Sequence, residues 1–262
     1  RLELPLRPLT ALTGLNGGGK TTVIQALLLA RQASRGASPS EAVRLNGPYG
    51  LLLGDTSDVL HDDAEDGEGI RVRVVDADVE YTWEFAGAGD RALNLAVRAR
   101  PEAPPHAFGG PERALLYLCA ERWGPRDVQG MSSANLADLH PGHQGEHVAQ
   151  VLALLDSEPV REPLLHPRAL EGEARIETLR QNVEWWLSSI VCPVTLSANT
   201  VPQTSVAVLR YGIPGRPLTH VRPPNGAFGV TYALPVIVAA LLAPRGGLLL
   251  VDHVHEAHVA EG

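Results

Sequence analysis

The most chemically informative stretch of the sequence is a glycine-rich segment near its start, Gly14–Thr21 (G-L-N-G-G-G-K-T). It satisfies the spacing G-x-x-x-x-G-K-[ST] of a phosphate-binding P-loop. Glycines let successive backbone N–H groups converge on phosphate oxygens, because a side chain would obstruct the approach or forbid the positive φ angles of such a loop. Lys20 would neutralise charge on the β- and γ-phosphates, and the Thr21 hydroxyl would be a ligand of Mg²⁺. The alternative is a glycine-rich turn that merely ends in Lys-Thr.

The predicted cofactors are therefore ATP and Mg²⁺. The predicted nucleotide-binding residues are Asn16, Gly17, Gly18, Gly19, Lys20, Thr21 and Thr22.

An acidic partner for the metal ion is expected near the other end of the sequence. Four apolar residues, Leu248–Val251, are followed by Asp252. An NTPase with a P-loop needs an acidic residue on the Mg²⁺ side, at the end of a buried strand. An apolar run followed by Asp is also common at an ordinary strand end, so this prediction depends on the P-loop. We expect Thr21 and Asp252 to hold Mg²⁺ together.

The elements that must position these residues alternate between strands and helices. A short buried strand is predicted at Leu9–Thr13, directly before the glycine-rich loop, and a helix at Lys20–Gln32, directly after it. Residues 34–69 are predicted to be loop. The other predicted elements are strands at 70–75, 79–85, 92–97, 114–119, 191–196, 205–211 and 247–251, and helices at 145–155, 174–190 and 228–242. This pattern favours an α/β core with an antiparallel β-rich lobe.

Composition narrows the class of protein further. The chain has 262 residues, of which 44% are hydrophobic and 20% charged, as in an ordinary globular protein. Its formal net charge of −8 means that any contact with DNA requires a local basic patch or a partner. The two cysteines, Cys119 and Cys192, lie far apart and favour neither a disulfide framework nor a zinc ribbon, which fits a reducing cytoplasm. The only methionine is Met131, so Arg1 is not expected to be the translation start, and the sequence stops soon after an apolar run and a His-rich stretch. We therefore expect both ends of the chain to be truncated.

Five segments, taken together, carry a resemblance to a known family. Leu9–Gln32 (L-T-A-L-T-G-L-N-G-G-G-K-T-T-V-I-Q-A-L-L-L-A-R-Q) resembles bacterial AAA-family ATPases of the SMC/RecF-like class, whose heads are of the ABC type. Leu45–His61, Tyr117–Arg126 (Y-L-C-A-E-R-W-G-P-R), Gly142–Leu152 and Pro224–Leu234 resemble one branch of that class, which carries a domain of unknown function. The segments keep their order and span most of the chain.

The resemblance implies a fold and a domain organisation. The expected fold is an α/β P-loop NTPase core of the ABC/SMC-head type, with an antiparallel β-rich lobe and a helical insert. A single ATPase head is then expected over residues 1–262. Its parts would be the P-loop strand and helix at 1–36, a loop and β lobe at 37–113, a helical and β insert at 114–220, and a signature helix with the Walker B strand at 221–262.

The resemblance also implies a dimer closed around ATP. Pro224–Leu234 (P-N-G-A-F-G-V-T-Y-A-L) is similar to the family's signature, N-x-G-F-G-x-S, with Asn225, Ala227 and Gly229 at the matching positions. In ABC-like heads this segment closes on the γ-phosphate held by a second subunit. Ala227 replaces a family glycine and Thr231 replaces a serine. Without the resemblance, the alternative is a glycine-rich loop that caps an apolar core helix.

Turnover is expected to be slow. ABC-like heads place a catalytic Glu directly after the Mg²⁺ acid, and this chain has His253 there. Glu256 matches a family acid only if one extra residue is allowed. We therefore expect an ATPase in which His253 or Glu256 acts on the attacking water, with poor efficiency.

The resemblance implies a role in genome maintenance or anti-phage defence, beside a partner such as a nuclease, with DNA held by that partner or by an assembled groove. Two alternatives stay open. One is a nucleotide-gated scaffold with little or no hydrolysis. The other is a transporter subunit, although such a subunit normally shows L-S-G-G-Q, which this sequence lacks. No segment is long and apolar enough to predict a membrane contact.

Other conspicuous residues favour structural roles. The histidines that follow Asp252 do not form H-E-x-x-H, so a transition-metal site is disfavoured. His140, His143 and His147 are expected in a solvated loop and helix start. Trp185 and Trp186 are expected to pack rather than stack on bases.

Overall fold

In the computed structural model the chain forms two compact units, Arg1–Glu102 and Ala103–Gly262. The structure describes residues 2–15, 17–36, 42–60, 69–171, 175–213 and 215–252, without the side chains of 216–219. The first unit holds the glycine-rich loop and the second holds Asp252.

The first unit is a four-stranded antiparallel sheet with one long helix. The strands are β1 (Ala42–Arg44), β2 (Gly69–Asp76), β3 (Val79–Gly87) and β4 (Asn94–Ala99), in the order β1-β4-β3-β2. Helix α1 (Lys20–Arg35) packs against the sheet. Between them lies a fully buried Trp83, whose indole N–H donates to the Ser34 hydroxyl at 2.9 Å. The predicted meander is confirmed, with its last strand shifted two residues later.

The C-terminal end of α1 is tied to the sheet by side chains. Arg100, directly after β4, donates to the carbonyls of Ala33 (2.8 Å) and Gly36 (2.7 Å). Gln32 donates to the Arg44 carbonyl at 3.1 Å and accepts from the Arg44 amide. The last carbonyls of a helix have no partner within the helix, so the Arg100 bonds satisfy groups that would otherwise face water, while the Gln32 bonds attach α1 to β1.

The hairpin between β2 and β3 turns through two residues without glycine. Asp76 pairs with Val79, so Ala77 and Asp78 form the turn. Their φ angles are 47° and 67°, as in the type I′ turn that matches the twist of paired strands. Asp tolerates this left-handed conformation, whereas Ala adopts it at a cost of about 1 kcal/mol. The turn is therefore a strained point in an otherwise regular hairpin.

The segment predicted to be loop contains a short, well-capped helix. Helix α2 (Thr56–Val59) starts with a capping box, in which Asp55 accepts from the Ser57 amide and Asp58 accepts from the Asp55 amide. The buried Thr56 hydroxyl donates to the Gly89 carbonyl at 2.9 Å and so ties α2 to the β3–β4 turn. The acidic residues in the sequence D-T-S-D indicate this start, because acceptors at these positions satisfy free amides of the first turn.

The described residues of the second unit form two sheets. A parallel pair is formed by β5 (Leu115–Leu118) and β10 (Leu248–Val251). An antiparallel sheet has the order β6-β8-β7, with β9 also paired to β8. Its strands are β6 (Val128–Gly130), β7 (Thr195–Thr200), β8 (Val206–Ile213) and β9 (Arg216–Val221). The fold class is therefore mixed α/β with mainly antiparallel sheets.

Helices fill the core of the second unit. After the short α3 (His106–Gly109) come α4 (Val148–Leu154), α5 (Leu179–Ile190) and α6 (Phe228–Leu242). The apolar α6 contacts α4, α5, β5 and β10, so it lies at the centre of this unit. Its bounds match the predicted helix 228–242. Trp185 and Trp186 pack against the core, as predicted, and the Trp186 indole N–H donates to the Leu164 carbonyl at 3.2 Å.

The prediction of a strand before the glycine-rich loop is wrong. Residues Leu9–Thr13 have no regular structure, and Leu9 is 90% exposed. A strand needs a neighbour that pairs its backbone groups, and the sheet of this unit consists of β1, β4, β3 and β2. Pro5 and Pro8, just before the segment, each remove a backbone donor. The first unit therefore positions the loop through α1.

Among the described helices, none combines the length and the apolar character that crossing a bilayer would require.

Candidate functional site

The glycine-rich loop leads directly into the first turn of α1. Gly17 and Gly19 have φ angles of 79° and 80°, in the left-handed region where other residues are strained. Gly19 is also the N-cap of α1, and no described side chain caps that end of the helix. Asn16 lies outside the described residues. The predicted helix start at Lys20 is confirmed, and the glycines occur at the positions that need them.

Lys20 folds back over the loop that precedes it. Its Nζ donates to the carbonyl oxygens of Gly14 and Leu15, each at 2.8 Å. The Gly18 amide donates to the Leu15 carbonyl at 3.2 Å and tightens the same turn. The ammonium group is thus held beside the loop, at the positive end of the α1 dipole. Thr21 and Thr22 follow in the first turn of α1, and their predicted role in binding phosphate stays a prediction.

Lys20 is distinctive in a second way. The sequence has 22 cationic residues, and Lys20 is the single lysine among them. A lysine ammonium is a compact point charge with three donors, whereas a guanidinium is a wide planar fork. All the remaining Lys or Arg positions of the sequence hold arginine, and the one lysine directly follows the glycine-rich loop.

Asp252 lies at the end of a strand in the second unit, as predicted, but the four residues of that strand are partly exposed rather than buried. It directly follows β10, and its amide donates to the Leu118 carbonyl at 2.8 Å, which continues the pairing with β5. Asp252 is 9% exposed. Burial, followed by the charge of Asp252, raises the pKa of Tyr117 to about 12. The phenol therefore stays protonated beside the carboxylate at neutral pH.

Arg122 connects the ends of the two parallel strands. It is 8% exposed. Its Nη1 donates to the Cys119 carbonyl after β5 (3.1 Å) and to the Asp252 carbonyl after β10 (3.0 Å). The guanidinium also lies 5.9 Å from the ring centre of Tyr232 on α6. Arg122 thus fixes the backbone that carries Asp252.

The proposed metal ligands are in separate units. Thr21 belongs to the first unit and Asp252 to the second, so their joint role in binding Mg²⁺ stays a prediction. Within the described part of the chain, no group of three or more His, Cys, Asp or Glu side chains is arranged to hold a metal ion. His253 and Glu256, the predicted catalytic residues, lie outside the described residues.

The signature-like segment forms an exposed turn at the start of α6. Asn225, Ala227 and Gly229 are all exposed. The turn is shaped by Gly226, where a Cβ atom would lie 2.7 Å from the buried Tyr211 ring. The Tyr211 hydroxyl is 3.1 Å from the Thr231 hydroxyl and anchors the first turns of the helix. The three predicted residues are therefore exposed to solvent, on a turn that packs against the buried Tyr211.

The histidine loop differs from the solvated loop that was predicted. His140 and His143 are only partly exposed, with ring centres 5.9 Å apart. The loop is held in place because Glu146 accepts from the amides of His143 and Gln144. Burial, followed by the nearby His143, lowers the pKa of His140 to about 4. The prediction of a solvated loop is wrong because Pro141 and Gly142 are buried and hold the two histidines close to the protein.

Comparison with protein-family models, curated proteins and solved structures finds no match to this chain. The resemblance to SMC/RecF-like ATPases stays a prediction that depends on the quoted segments. Sequence reasoning missed the contacts of Arg122, because its two acceptors are carbonyls that any residue supplies. The sequence feature that could have indicated them is the segment A-E-R-W-G-P-R, which directly follows a buried strand.

Proposed function

We propose that this chain is an ATP-binding module in which the glycine-rich loop and the first turn of α1 hold the triphosphate. The observation that carries the proposal is the single lysine of the sequence, Lys20, folded over that loop by bonds of 2.8 Å to Gly14 and Leu15. On binding, its ammonium exchanges two carbonyl partners for phosphate oxygens. The amides at the start of α1 add donors along the helix dipole.

In this proposal Mg²⁺ accompanies ATP, with Thr21 and Asp252 as its protein ligands. Carboxylate and hydroxyl oxygens suit a small hard cation that also retains water and phosphate ligands. The hydrogen bonds of Arg122 to the backbone at Asp252 support the assignment, because they fix the chain at the carboxylate. Asn225, Ala227 and Gly229 would contact the γ-phosphate of a second copy, which their exposure at the start of α6 allows.

The wider role proposed is that of an SMC/RecF-like head that drives or gates a partner, such as a nuclease acting on DNA. Hydrolysis is proposed to be slow, since the residue after Asp252 is His253 rather than Glu. The competing function is a nucleotide-gated scaffold that does not turn ATP over. The rate of ATP hydrolysis is measured for the wild type and for His253→Glu. A slow ATPase is expected to hydrolyse ATP faster in His253→Glu, because an acid then follows Asp252, whereas a scaffold is expected to hydrolyse no ATP as the wild type.

The single lysine gives a direct test of nucleotide binding. An amine-reactive reagent can modify only Lys20 and the chain terminus, and mass spectrometry locates the label. Saturating Mg-ATP is expected to protect Lys20, because phosphate oxygens then surround its ammonium. Calorimetry on Lys20→Ala is expected to show an affinity about 10- to 100-fold weaker, the loss of about 1.5–3 kcal/mol of charge-assisted hydrogen bonding.

The matched control is Arg35→Ala, which removes a cation from the other end of the same helix. Its affinity for Mg-ATP is expected to equal that of the wild type. Unchanged labelling of Lys20 at saturating Mg-ATP, or unchanged affinity in Lys20→Ala, would refute the proposal.

A further inference from the structure

Strand β7 of the second unit has an outer edge, on the side away from β8. Among the described residues, β8 is the strand that pairs with β7, and none pairs with this outer edge. The Val201 amide, directly after β7, donates to the Val206 carbonyl at 3.0 Å, toward β8. Because the backbone groups of successive residues alternate in direction, the N–H and C=O groups of Ala198 and Thr200 point to the outer edge. A further strand could pair with these groups.

Helix α5 covers only the beginning of this edge. The buried Glu184 carboxylate, on α5, accepts from the Leu196 amide at 2.7 Å. This bond shows that Leu196 also points outward, which agrees with the alternation along β7. Within the described part of the chain, no side chain bonds to the amides of Ala198 and Thr200. The side chain of Glu184 thus takes the place of a neighbouring strand at one residue and leaves the next positions uncovered.

A cavity of about 580 Å³ follows the uncovered edge. Five consecutive residues of β7, Thr195–Asn199, line it. Side chains of a strand alternate between its two faces, so consecutive residues can line one cavity only along the edge of the strand. The opposite walls are Leu152 and Ala153 on α4 and Ile213 at the end of β8. We name the cavity bounded by these residues the β7 groove.

The two sides of the β7 groove differ in polarity. On one side Leu152 and Ala198 belong to the apolar core of the unit. On the other side lies a row of small, uncharged polar side chains, Thr195, Ser197 and Asn199, in which the Asn199 amide donates to the Ser197 hydroxyl at 3.4 Å. A strand that entered the groove would therefore present alternate residues to an apolar and to a polar wall.

The charged residues at one end of the groove are already paired. Asp156 follows α4, and its Oδ1 accepts from Nε of Arg180 on α5 at 2.7 Å. Arg180 also lies 3.7 Å from the Glu184 carboxylate. These contacts largely balance the charge at this end, so an occupant of the groove needs no charge of its own.

We propose that the β7 groove binds an extended segment of another protein, which adds a strand beside β7. The segment pairs its backbone with Ala198 and Thr200 and alternates apolar with uncharged polar residues. At about 3.3 Å per residue, the groove has room for about five residues. In such complexes main-chain hydrogen bonds give affinity, and alternate side chains give specificity. This inference goes beyond the proposed function and does not depend on it, because the groove uses no residue of the glycine-rich loop.

A second copy of the chain does not fit as the occupant. The walls at α4 and at the end of β8 recess the edge of β7, and the same walls in another copy would keep its β7 away. Two chains of net charge −8 also repel each other. Exposed edges are usually protected by charged residues or proline, and Thr195–Thr200 contains neither. The recess gives that protection here, while a single extended segment can still enter.

The test is a binding measurement with a library of six-residue peptides, in which Ala, Val, Leu or Ile alternates with Ser, Thr, Asn or Gln. An array of these peptides is screened with the labelled full chain, and fluorescence polarisation gives the dissociation constant of those that bind. Ala198→Pro is expected to weaken binding about tenfold, because it replaces an outward amide by a ring. The pairing with β8 is expected to persist, since this amide does not take part in it.

A second variant and a matched control separate loss of binding from loss of folding. Ala153→Trp fills the β7 groove from α4, leaves β7 unchanged, and is expected to weaken binding as much as Ala198→Pro. The control is Val75→Pro on β2, the edge strand of the other unit, where Val75 is 63% exposed. Its amide points away from β3, because Asp76 pairs with Val79 at the turn. Val75→Pro is expected to bind the peptides like the wild type, and thermal melts show that each variant is folded.

Amide hydrogen exchange, followed by NMR on the ¹⁵N-labelled chain, identifies the mode of binding. A bound peptide is expected to slow exchange at Ala198 and Thr200, whose amides then donate to it. The Leu196 amide already donates to Glu184 and is expected to change little. Lys20→Ala is expected to bind the peptides like the wild type, so failure of this inference is distinguishable from failure of the proposed function.

Three results overturn the inference. The first is a library in which no peptide binds, or in which both Ala198→Pro and Ala153→Trp leave binding unchanged. The second is binding without slower exchange at Ala198 and Thr200, which shows that the groove holds side chains rather than a strand. The third is a wild-type dimer, detected by sedimentation velocity without nucleotide and lost in Ala198→Pro, which shows that a second copy occupies the edge.

Discussion

Replacing Arg122 by Met tests how the ends of the two parallel strands are held together. Met fills a similar volume but donates no hydrogen bond. The change removes the bonds from Nη1 to the Cys119 and Asp252 carbonyls, at 3.1 and 3.0 Å, and the contact with Tyr232. The native side chain is 8% exposed, so water cannot readily replace it as a donor.

The size of the effect follows from these contacts. A hydrogen bond from a charged donor contributes about 1.5–3 kcal/mol, and the cost of burying the guanidinium offsets part of it. We therefore expect the free energy of unfolding to fall by about 2–4 kcal/mol in Arg122→Met. The second unit runs from Ala103 to Gly262, a size at which each kcal/mol lowers Tm by about 2–4 °C. Urea denaturation and a thermal melt, followed by tryptophan fluorescence, measure both quantities.

Arg126→Met is the matched comparison. It removes an arginine four residues away that is exposed and lies on Trp123, so we expect a loss below about 1 kcal/mol. Arg122→Lys, which keeps the charge but not the fork, is expected to fall between the two. If Arg122→Met is no more destabilising than Arg126→Met, the two carbonyl bonds do not fix the strand ends.

Two further predictions concern the stability of each unit. Because the pKa of His140 is lowered from 6.5 to about 4, the unfolded chain binds a proton between these pH values that the folded chain does not. The free energy of unfolding is therefore expected to fall as pH falls from about 6.5 to 4, by up to about 1.4 kcal/mol per pH unit for this proton. It is expected to fall less steeply in His140→Gln. Equal dependence on pH in urea titrations of the two proteins would contradict this. Ala77→Asn in the β2–β3 turn is expected to raise the free energy of unfolding by about 0.5–1 kcal/mol, because Asn tolerates a φ of 47° better than Ala. Ala88→Asn in the next turn, where φ is not positive, is the control, and an equal gain there would point to a general surface effect.

Local patterns in the sequence predicted some elements well. The apolar run 228–242 predicted α6 to the residue, because a buried helix requires apolar side chains all round and its ends are marked by Gly226 and Pro244. Alternation and turn residues predicted the β2–β3 hairpin for the same local reason. At the site, G-G-K-T predicted the start of α1 at Lys20, since glycine and helix preferences act within a few residues.

Features that depend on distant partners were not predictable in this way. The strand expected at Leu9–Thr13 failed because pairing depends on a neighbouring strand, which no local pattern reveals. The contact of Arg122 with the Tyr232 ring was not predicted, because the two residues lie about a hundred positions apart and meet only in the folded chain. The packing of His140 was missed because hydrophilic composition predicts exposure, whereas hydrogen bonds to Glu146 let the loop pack inward.

The attachment of α1 at its C-terminal end has a mechanical consequence. A helix of 16 residues is a stiff rod about 24 Å long, with the glycine-rich loop at one end. At the other end, Arg100 and Gln32 fasten it to β4 and β1. A ligand that displaced Lys20 would therefore tilt or shift the whole helix, since the hydrogen bonds along it resist stretching. Such a displacement would reach β1 at the edge of the sheet, so binding at the loop would move strands far from the ligand.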